Sequence, residues 1–118
     1  MNLEDGLATA VAIAREAGQL LLEGFSQQKE IERKSSAVDW VTQYDKAAEE
    51  LIFSRGRAKY TNHVFIDEEG TDDEGTEGYT WYVDPLDGTN NFAHGFPIFC
   101  VSIALYQGEK PLLGVLFD

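Results

Sequence analysis

The residues best suited to chemistry lie in segment 81–92, which reads Trp-Tyr-Val-Asp-Pro-Leu-Asp-Gly-Thr-Asn-Asn-Phe and follows the acidic pair Glu68 and Glu69. Between Tyr60 and Glu109 the chain contains many carboxylates but no Lys or Arg. Carboxylates that folding brings together repel one another unless they are protonated, hydrated or bound to cations. The type and grouping of these residues therefore predict a divalent metal site.

Asp84 and Asp87 flank a Pro-Leu pair at the expected end of a strand, because proline cannot donate to a sheet ladder. A turn there can direct both carboxylates and the Leu86 carbonyl towards one point, which suits the oxygen ligands that Mg²⁺ prefers. Gly88 allows the backbone to approach a ligand closely. Thr89 can cap a short helix whose free amides would bind a phosphate oxygen. The alternative interpretation is an ordinary Asp-Pro-x-Asp-Gly turn with a helix cap.

The helices that must position these residues are predicted from hydrophobic periodicity. Residues 3–25 predict an amphipathic helix. Its apolar stripe comprises Leu7, Val11, Ala14, Gly18, Leu21, Leu22 and Phe25. Residues 29–41 predict two short strands around a turn. Residues 42–45 have the form of a helix-opening capping box, and a helical pattern continues to Lys59, with Gly56 weakening its end.

Short runs of apolar and β-prone residues predict the sheet. The predicted strands are 63–66, 79–83, 98–106 and 112–117, the second ending at Asp84 and the last two joined by a turn at 107–110. Residues 69–78 predict a polar loop. The resulting fold class is α+β, with an N-terminal helix pair packed on an antiparallel sheet.

Composition limits the classes of partner. The chain has 118 residues, which is enough for one small domain, and a net charge of −12, which argues against nucleic acid and anionic membrane surfaces. A continuous apolar span of membrane length is absent from the sequence, which favours a cytoplasmic protein. The single cysteine, Cys100, lies in an apolar run and predicts a small buried hydrophobe.

The histidines and phenylalanines have simple structural interpretations. His63 and His94 are expected at the surface or at strand ends rather than as ligands, because magnesium prefers oxygen. Three aromatic residues are expected in the core: Phe92, Phe96 and Phe99.

Segments 64–69 and 81–92, together with Phe96-Pro97, resemble the inositol monophosphatase family, a Mg²⁺-dependent, lithium-sensitive phosphatase superfamily. Segment 34–45 is also similar to that family. The resemblance implies that residues 1–118 are the N-terminal portion of an inositol monophosphatase-like domain, the first half of a layered α-β-α-β-α sugar-phosphatase fold. The C-terminal α/β half of the family has no match here, so an uncovered strand edge and apolar patch are expected.

The resemblance also implies a set of metal ligands. Glu68 would bind the first Mg²⁺ and help to position the attacking water, and Asp84 would bridge two metals. The Leu86 main-chain carbonyl would bind the first metal, and Asp87 would bind the second.

Catalytic roles follow from the same resemblance. Catalysis would rest on Glu68, on the Thr89 hydroxyl, which would hold the water, and on Asp45, which would orient that hydroxyl. Asp45 has an alternative interpretation as a helix-cap residue. The residues implied in substrate binding are Glu68, Leu86, Asp87, Gly88 and Thr89.

The implied reaction is Mg²⁺-dependent hydrolysis of a phosphate monoester, inositol monophosphate to inositol and phosphate, by a metal-activated water. The family also implies a homodimer. Alternatives are a non-catalytic metal-binding or dimerising remnant, or a nucleotide bisphosphate, histidinol-phosphate or fructose-bisphosphate phosphatase. The sequence does not decide the physiological substrate or whether this chain is active alone.

Overall fold

The structure, a computed structural model, describes residues 1–26, 37–67, 78–88 and 99–118, with the backbone alone for 37–42. The elements within these residues are α1 (Leu3–Ser26), α2 (Ala37–Lys59), β1 (Val64–Ile66), β2 (Tyr79–Asp87), β3 (Cys100–Gln107) and β4 (Lys110–Phe117). The strands form one sheet in the order β1-β2-β3-β4. The predicted α+β arrangement is confirmed. The sheet was predicted to be antiparallel, but it is mixed, because β1 runs parallel to β2 while the other pairs are antiparallel.

Small residues line the buried face of α1. Asn2 caps the helix through its side-chain oxygen, which accepts a hydrogen bond from the Asp5 amide at 3.1 Å. The buried positions are Gly6, Ala10, Ala14, Ala17, Gly18, Leu21 and Gly24. Leu7 and Leu22 were predicted on this face but are 44% and 49% exposed. Periodicity located the helix, but it could not show that the contact face is built from small side chains.

Close approach explains why glycine occurs inside these helices. A Cβ atom on Gly56 would collide with the Phe65 ring on β1, and one on Gly18 would collide with the Phe117 ring on β4. Gly56 was expected to weaken the end of α2. It lies instead in the contact between α2 and the sheet, where its lack of a side chain lets an aromatic ring fill the space.

Polar contacts join the two helices in an antiparallel pair. Lys59, the last residue of α2, donates hydrogen bonds to Thr9 Oγ1 at 2.7 Å and to Asp5 Oδ1 at 3.2 Å near the start of α1. Farther along, Arg55 Nε lies 3.3 Å from Glu16 Oε2. Because these side chains are exposed, the ion pairs contribute little free energy and mainly fix the alignment.

The structure corrects the prediction between residues 29 and 45. Residues 27–36 lie outside the described part, but α2 begins at Ala37, so the predicted second strand containing Val38 and Val41 is wrong. The helix also begins before the predicted capping box at 42–45. Intrinsic β-propensity of valine is a weak signal that tertiary packing can override.

The strands agree closely with the sequence prediction, except at the end of β2. The turn at 107–110 and the antiparallel return of β4 are confirmed. β2 does not stop at Asp84 but runs to Asp87, because a bulge accommodates the proline.

The two faces of the sheet differ in their covering. The helices pack on the face formed by Phe65, Trp81, Val83, Val101, Ile103 and Leu105, all of which are buried. On the opposite face Tyr82 is exposed and Leu116, in the edge strand β4, is 73% exposed. In the described part of the chain, therefore, the face opposite the helices leaves the apolar side chains of Tyr82 and Leu116 accessible.

Replacing Gly56 with alanine tests the close contact between α2 and β1. We expect the free energy of unfolding to fall by about 1–3 kcal/mol, because the added methyl group overpacks the site against Phe65. Gly114→Ala is the matched control, since a Cβ there meets nothing within 4 Å, and it should stabilise the chain by about 0.4–1 kcal/mol or leave it unchanged. Urea unfolding followed by circular dichroism measures both. Equal effects of the two substitutions would contradict the packing.

Candidate metal centre

A β-bulge sets the directions of the two aspartates. Asp84 pairs with Ser102 and Asp87 pairs with Cys100, so three steps along β2 match two steps along β3. Side chains three residues apart on a regular strand point to opposite faces. The extra residue in β2 cancels this reversal. Asp84 and Asp87 therefore project from the same face of the sheet, the face opposite the helices.

Buried neighbours hold this bulge in place. The Leu86 side chain is 1% exposed and belongs to the core, and Pro85 is also buried. The Leu86 amide donates a hydrogen bond to Asp84 Oδ1 at 3.3 Å, which satisfies a donor that the bulge removes from the ladder. Gly88 has a φ of 93°, a conformation that residues with a Cβ rarely adopt. Glycine is thus required directly after Asp87 by the backbone itself.

The two carboxylates lack cationic partners among the described residues. The salt bridges in that part of the structure involve Arg55 and Lys59, both on the helical side. Asp84 is half-buried and Asp87 is exposed. Two hard oxygen groups on one face without a basic neighbour fit a divalent cation better than they fit an ion pair.

Cys100 joins this acidic group from β3. Its Sγ donates to Asp87 Oδ2 at 3.9 Å. Burial raises the pKa of the Cys100 thiol, and the negative charges of Asp87, Asp118 and Asp84 raise it further. The thiol was predicted to be buried, but it is half-buried and faces carboxylates. Sequence analysis missed Cys100 because the predicted β2 ended too early to pair Asp87 with β3. It missed Asp118 because only the folded sheet brings the residue after β4 near Cys100.

Not every predicted ligand lies in the described part. Glu68 and Thr89 lie outside it. The described residues contain no group of three His, Cys, Asp or Glu side chains that could hold a metal ion. β1 and β2 are parallel, and Ile66 pairs with Tyr82. Glu68 follows Ile66 by two residues, as Asp84 follows Tyr82. The donor chemistry of the described aspartates fits Mg²⁺, and a third carboxylate remains a prediction.

Asp45 is half-buried in the interior of α2. Its interpretation as a helix cap is wrong, because α2 begins eight residues earlier, at Ala37. Its role in orienting Thr89 remains a prediction.

The other residues singled out by the sequence fall into two groups. Trp81 Nε1 donates to His63 Nδ1 at 3.0 Å, so His63 is a structural residue beside β1. Phe99 packs on the core, with its ring 5.2 Å from that of Phe25. Three singled-out residues, His94, Phe92 and Phe96, lie outside the described residues. The same holds for residues 69–77 of the predicted loop 69–78.

Solved structures define the class of this fold. The chain superposes on extragenic suppressor protein suhB from Bartonella henselae with a TM-score of 0.83 and 33% identity, over 96% of this chain and 43% of that one. It superposes on inositol monophosphatase from Anabaena (Nostoc) sp. PCC 7120 with a TM-score of 0.77 and 33% identity, over 99% and 39%. The helix pair and mixed sheet are therefore those of inositol monophosphatase structures.

Sequence comparison gives the family. The sequence model described as the inositol monophosphatase family matches residues 2–118, and this chain belongs to that family. Inositol monophosphatase of Mesembryanthemum crystallinum is 48% identical over 120 residues, which cover 98% of this chain and 44% of that protein. The chain thus spans less than half the length of the curated relatives it matches. The predicted family is confirmed.

Neither of the two described helices has the length and apolarity needed to cross a bilayer.

The raised thiol pKa predicts how Cys100 should react. We expect alkylation by iodoacetamide to reach half its maximal rate at a pH above the ordinary thiol value, because only the thiolate attacks. Asp87→Asn should lower that midpoint, since it removes the negative charge that has the largest effect on the pKa of the thiol. Asp5→Asn, remote on α1, should leave it unchanged. Mass spectrometry gives the rates, and the single cysteine makes them unambiguous. An unshifted midpoint in Asp87→Asn would contradict the contact.

Proposed function

We propose that this chain forms part of the metal centre of a Mg²⁺-dependent phosphatase that hydrolyses inositol monophosphate to inositol and phosphate. The observation that carries the proposal is the bulge, which places Asp84 and Asp87 on one face with no cationic partner among the described residues. Family membership supports the reaction class. The name of the Mesembryanthemum crystallinum relative supports the substrate class.

Electrostatics explain why such a site would need a cation. The net charge is −12, and Asp84, Asp87 and Asp118 all act on the Cys100 thiol. These carboxylates would repel a phosphate ester in the absence of metal. When bound, Mg²⁺ would neutralise them, polarise the phosphoryl group and lower the pKa of water.

The residues of the chain have separate tasks in this proposal. Asp84 and Asp87 hold the cation, while the buried Leu86 side chain anchors the strand between them. The left-handed conformation of Gly88 turns the backbone directly after the second carboxylate. The resemblance assigns the third carboxylate to Glu68 and the positioning of water to Thr89 and Asp45.

Metal binding and substrate turnover are separate proposals for this chain. This chain matches less than half of each of the relatives compared above, so turnover is proposed for the whole protein. The alternative from the sequence, a module that binds metal without catalysis, predicts a different result in the phosphate-release assay below. Homodimer formation, lithium sensitivity and a cytoplasmic location remain predictions from the sequence.

Asp84→Asn tests the metal centre. We expect Mg²⁺ binding to weaken at least about tenfold, equivalent to ~1.4 kcal/mol, because the substitution removes a charged ligand. Asp5→Asn makes the same change of charge at the Lys59 ion pair on the other side of the molecule, and it should leave Mg²⁺ affinity unchanged. Isothermal titration calorimetry measures both affinities.

A phosphate-release assay on inositol 1-phosphate separates the two candidates. Release that requires Mg²⁺, is inhibited by Li⁺ and is lost in Asp84→Asn supports the phosphatase. Mg²⁺ binding without release supports the metal-binding module. Equal Mg²⁺ affinity in the wild-type chain and Asp84→Asn would overturn the proposed site.

A further inference from the structure

We propose that Cys100 is a positioning residue that orients the Asp87 carboxylate for cation binding. The proposal rests on the proposed function, because Asp87 must be a ligand for its orientation to matter. It assigns to the thiol a role that neither the family assignment nor the sequence motif gives it.

The cross-strand geometry carries the inference. The bulge moves Asp87 by one position, so that it lies opposite Cys100 rather than opposite Phe99. Directly opposed residues in an antiparallel pair have adjacent side chains on the same face. The thiol donates to Asp87 Oδ2 at 3.9 Å. Among the described residues, this is the side-chain contact that restrains an otherwise exposed carboxylate.

The two members of the pair differ in how firmly they are held. Val101, next to Cys100 on β3, is 1% exposed, and Phe99 packs on the Phe25 ring on the other side. Cys100 therefore has a fixed backbone between two packed neighbours. Asp87 lies at the end of β2, followed by Gly88. Cys100, whose backbone is held by its packed neighbours, can therefore set the side-chain rotamer of Asp87.

The chemistry of the thiol suits this task. A hydrogen bond to Oδ2 leaves the other carboxylate oxygen and the remaining lone pairs of Asp87 available to a cation. A thiol is a weak donor, and Cys100 presents it to Asp87 from the directly opposed position on β3. Groups that hydrogen-bond to a ligating carboxylate orient it and raise metal affinity.

A purely packing role for Cys100 makes different predictions. The residue also borders a cavity of about 140 Å³ lined by Leu21, Phe99 and Phe117 among others. If packing were its whole contribution, removal of the thiol would change the free energy of unfolding but not the conformation of Asp87. Alanine removes the donor, whereas serine retains one, and the pair separates the two roles.

The first measurement needs no metal. NMR three-bond couplings report the χ1 rotamer of Asp87 in the 118-residue chain. We expect the couplings to show one dominant χ1 rotamer of Asp87 in the wild type. In Cys100→Ala they should be averaged over several rotamers, and in Cys100→Ser the single dominant rotamer should return. Rotamer-averaged couplings of Asp87 in the wild type, or unchanged couplings in Cys100→Ala, would overturn the positioning role.

The second measurement uses Mn²⁺, which shares the carboxylate preference of Mg²⁺ and is detected by electron paramagnetic resonance. We expect Cys100→Ala to weaken Mn²⁺ binding by about tenfold and Cys100→Ser by no more than about twofold, in line with other outer-shell partners. In an Asp87→Asn background, Cys100→Ala should have no further effect. An equal loss in that background would show that the thiol acts elsewhere, and would overturn the proposal.

The two measurements distinguish failure of this inference from failure of the proposed function. If Cys100 orders Asp87 in the wild-type chain but the chain binds no Mn²⁺, the proposed metal centre is refuted. The proposed role of Cys100 in cation binding is then refuted as well. If the wild type binds Mn²⁺ and Cys100→Ala binds it equally well, the metal centre stands and the positioning role is overturned.

Discussion

The arrangement of acidic groups depends on one extra residue in β2. Without the bulge between Asp84 and Asp87, the second carboxylate would point towards the helices, where burying a charge without a partner costs several kcal/mol. Proline is compatible with this position because a bulge interrupts the ladder and needs no amide donor there. The same local feature thus explains the proline and the shared direction of the two aspartates.

The helices contribute by holding the sheet from one face only. Glycine and alanine on the buried side of α1 and Gly56 on α2 allow aromatic rings from the strands to fit against helix backbone. This close packing places Trp81, Val83 and Leu86 in the core, on the same strand as the acidic groups. A carboxylate on such a strand is held by the core behind it, although its own side chain faces outwards.

The charge distribution follows from the same division. The described ion pairs of Lys59 and Arg55 lie between the helices, whereas Asp84, Asp87 and Asp118 surround Cys100 at the end of the sheet. Basic side chains are therefore used to align the helix pair and are absent from the described surroundings of the aspartates. An acidic site of this kind attracts cations and repels phosphate, so the sign of its field would depend on bound metal.

Much of the fold was predictable from the sequence, because long apolar repeats and turn residues are local signals. α1, the end of α2, and the two strands around Gly108 were found in this way. The start of α2 was not, since Val38 and Val41 suggest strands and the pattern at 42–45 imitates a helix start. The buried face of α1 was also misjudged at Leu7 and Leu22, because packing against glycine is not visible in periodicity.

The sequence alone determined the carboxylates, the missing basic residues between Tyr60 and Glu109, and the motif that marks the inositol monophosphatase family. Tertiary structure decided which way those carboxylates point and that Cys100 and Asp118 lie beside them. The physical reason is that side-chain direction in a sheet depends on register, and register is set by pairing with a distant strand. The pairing of Asp87 with Cys100 joins residues that are 13 positions apart in the chain.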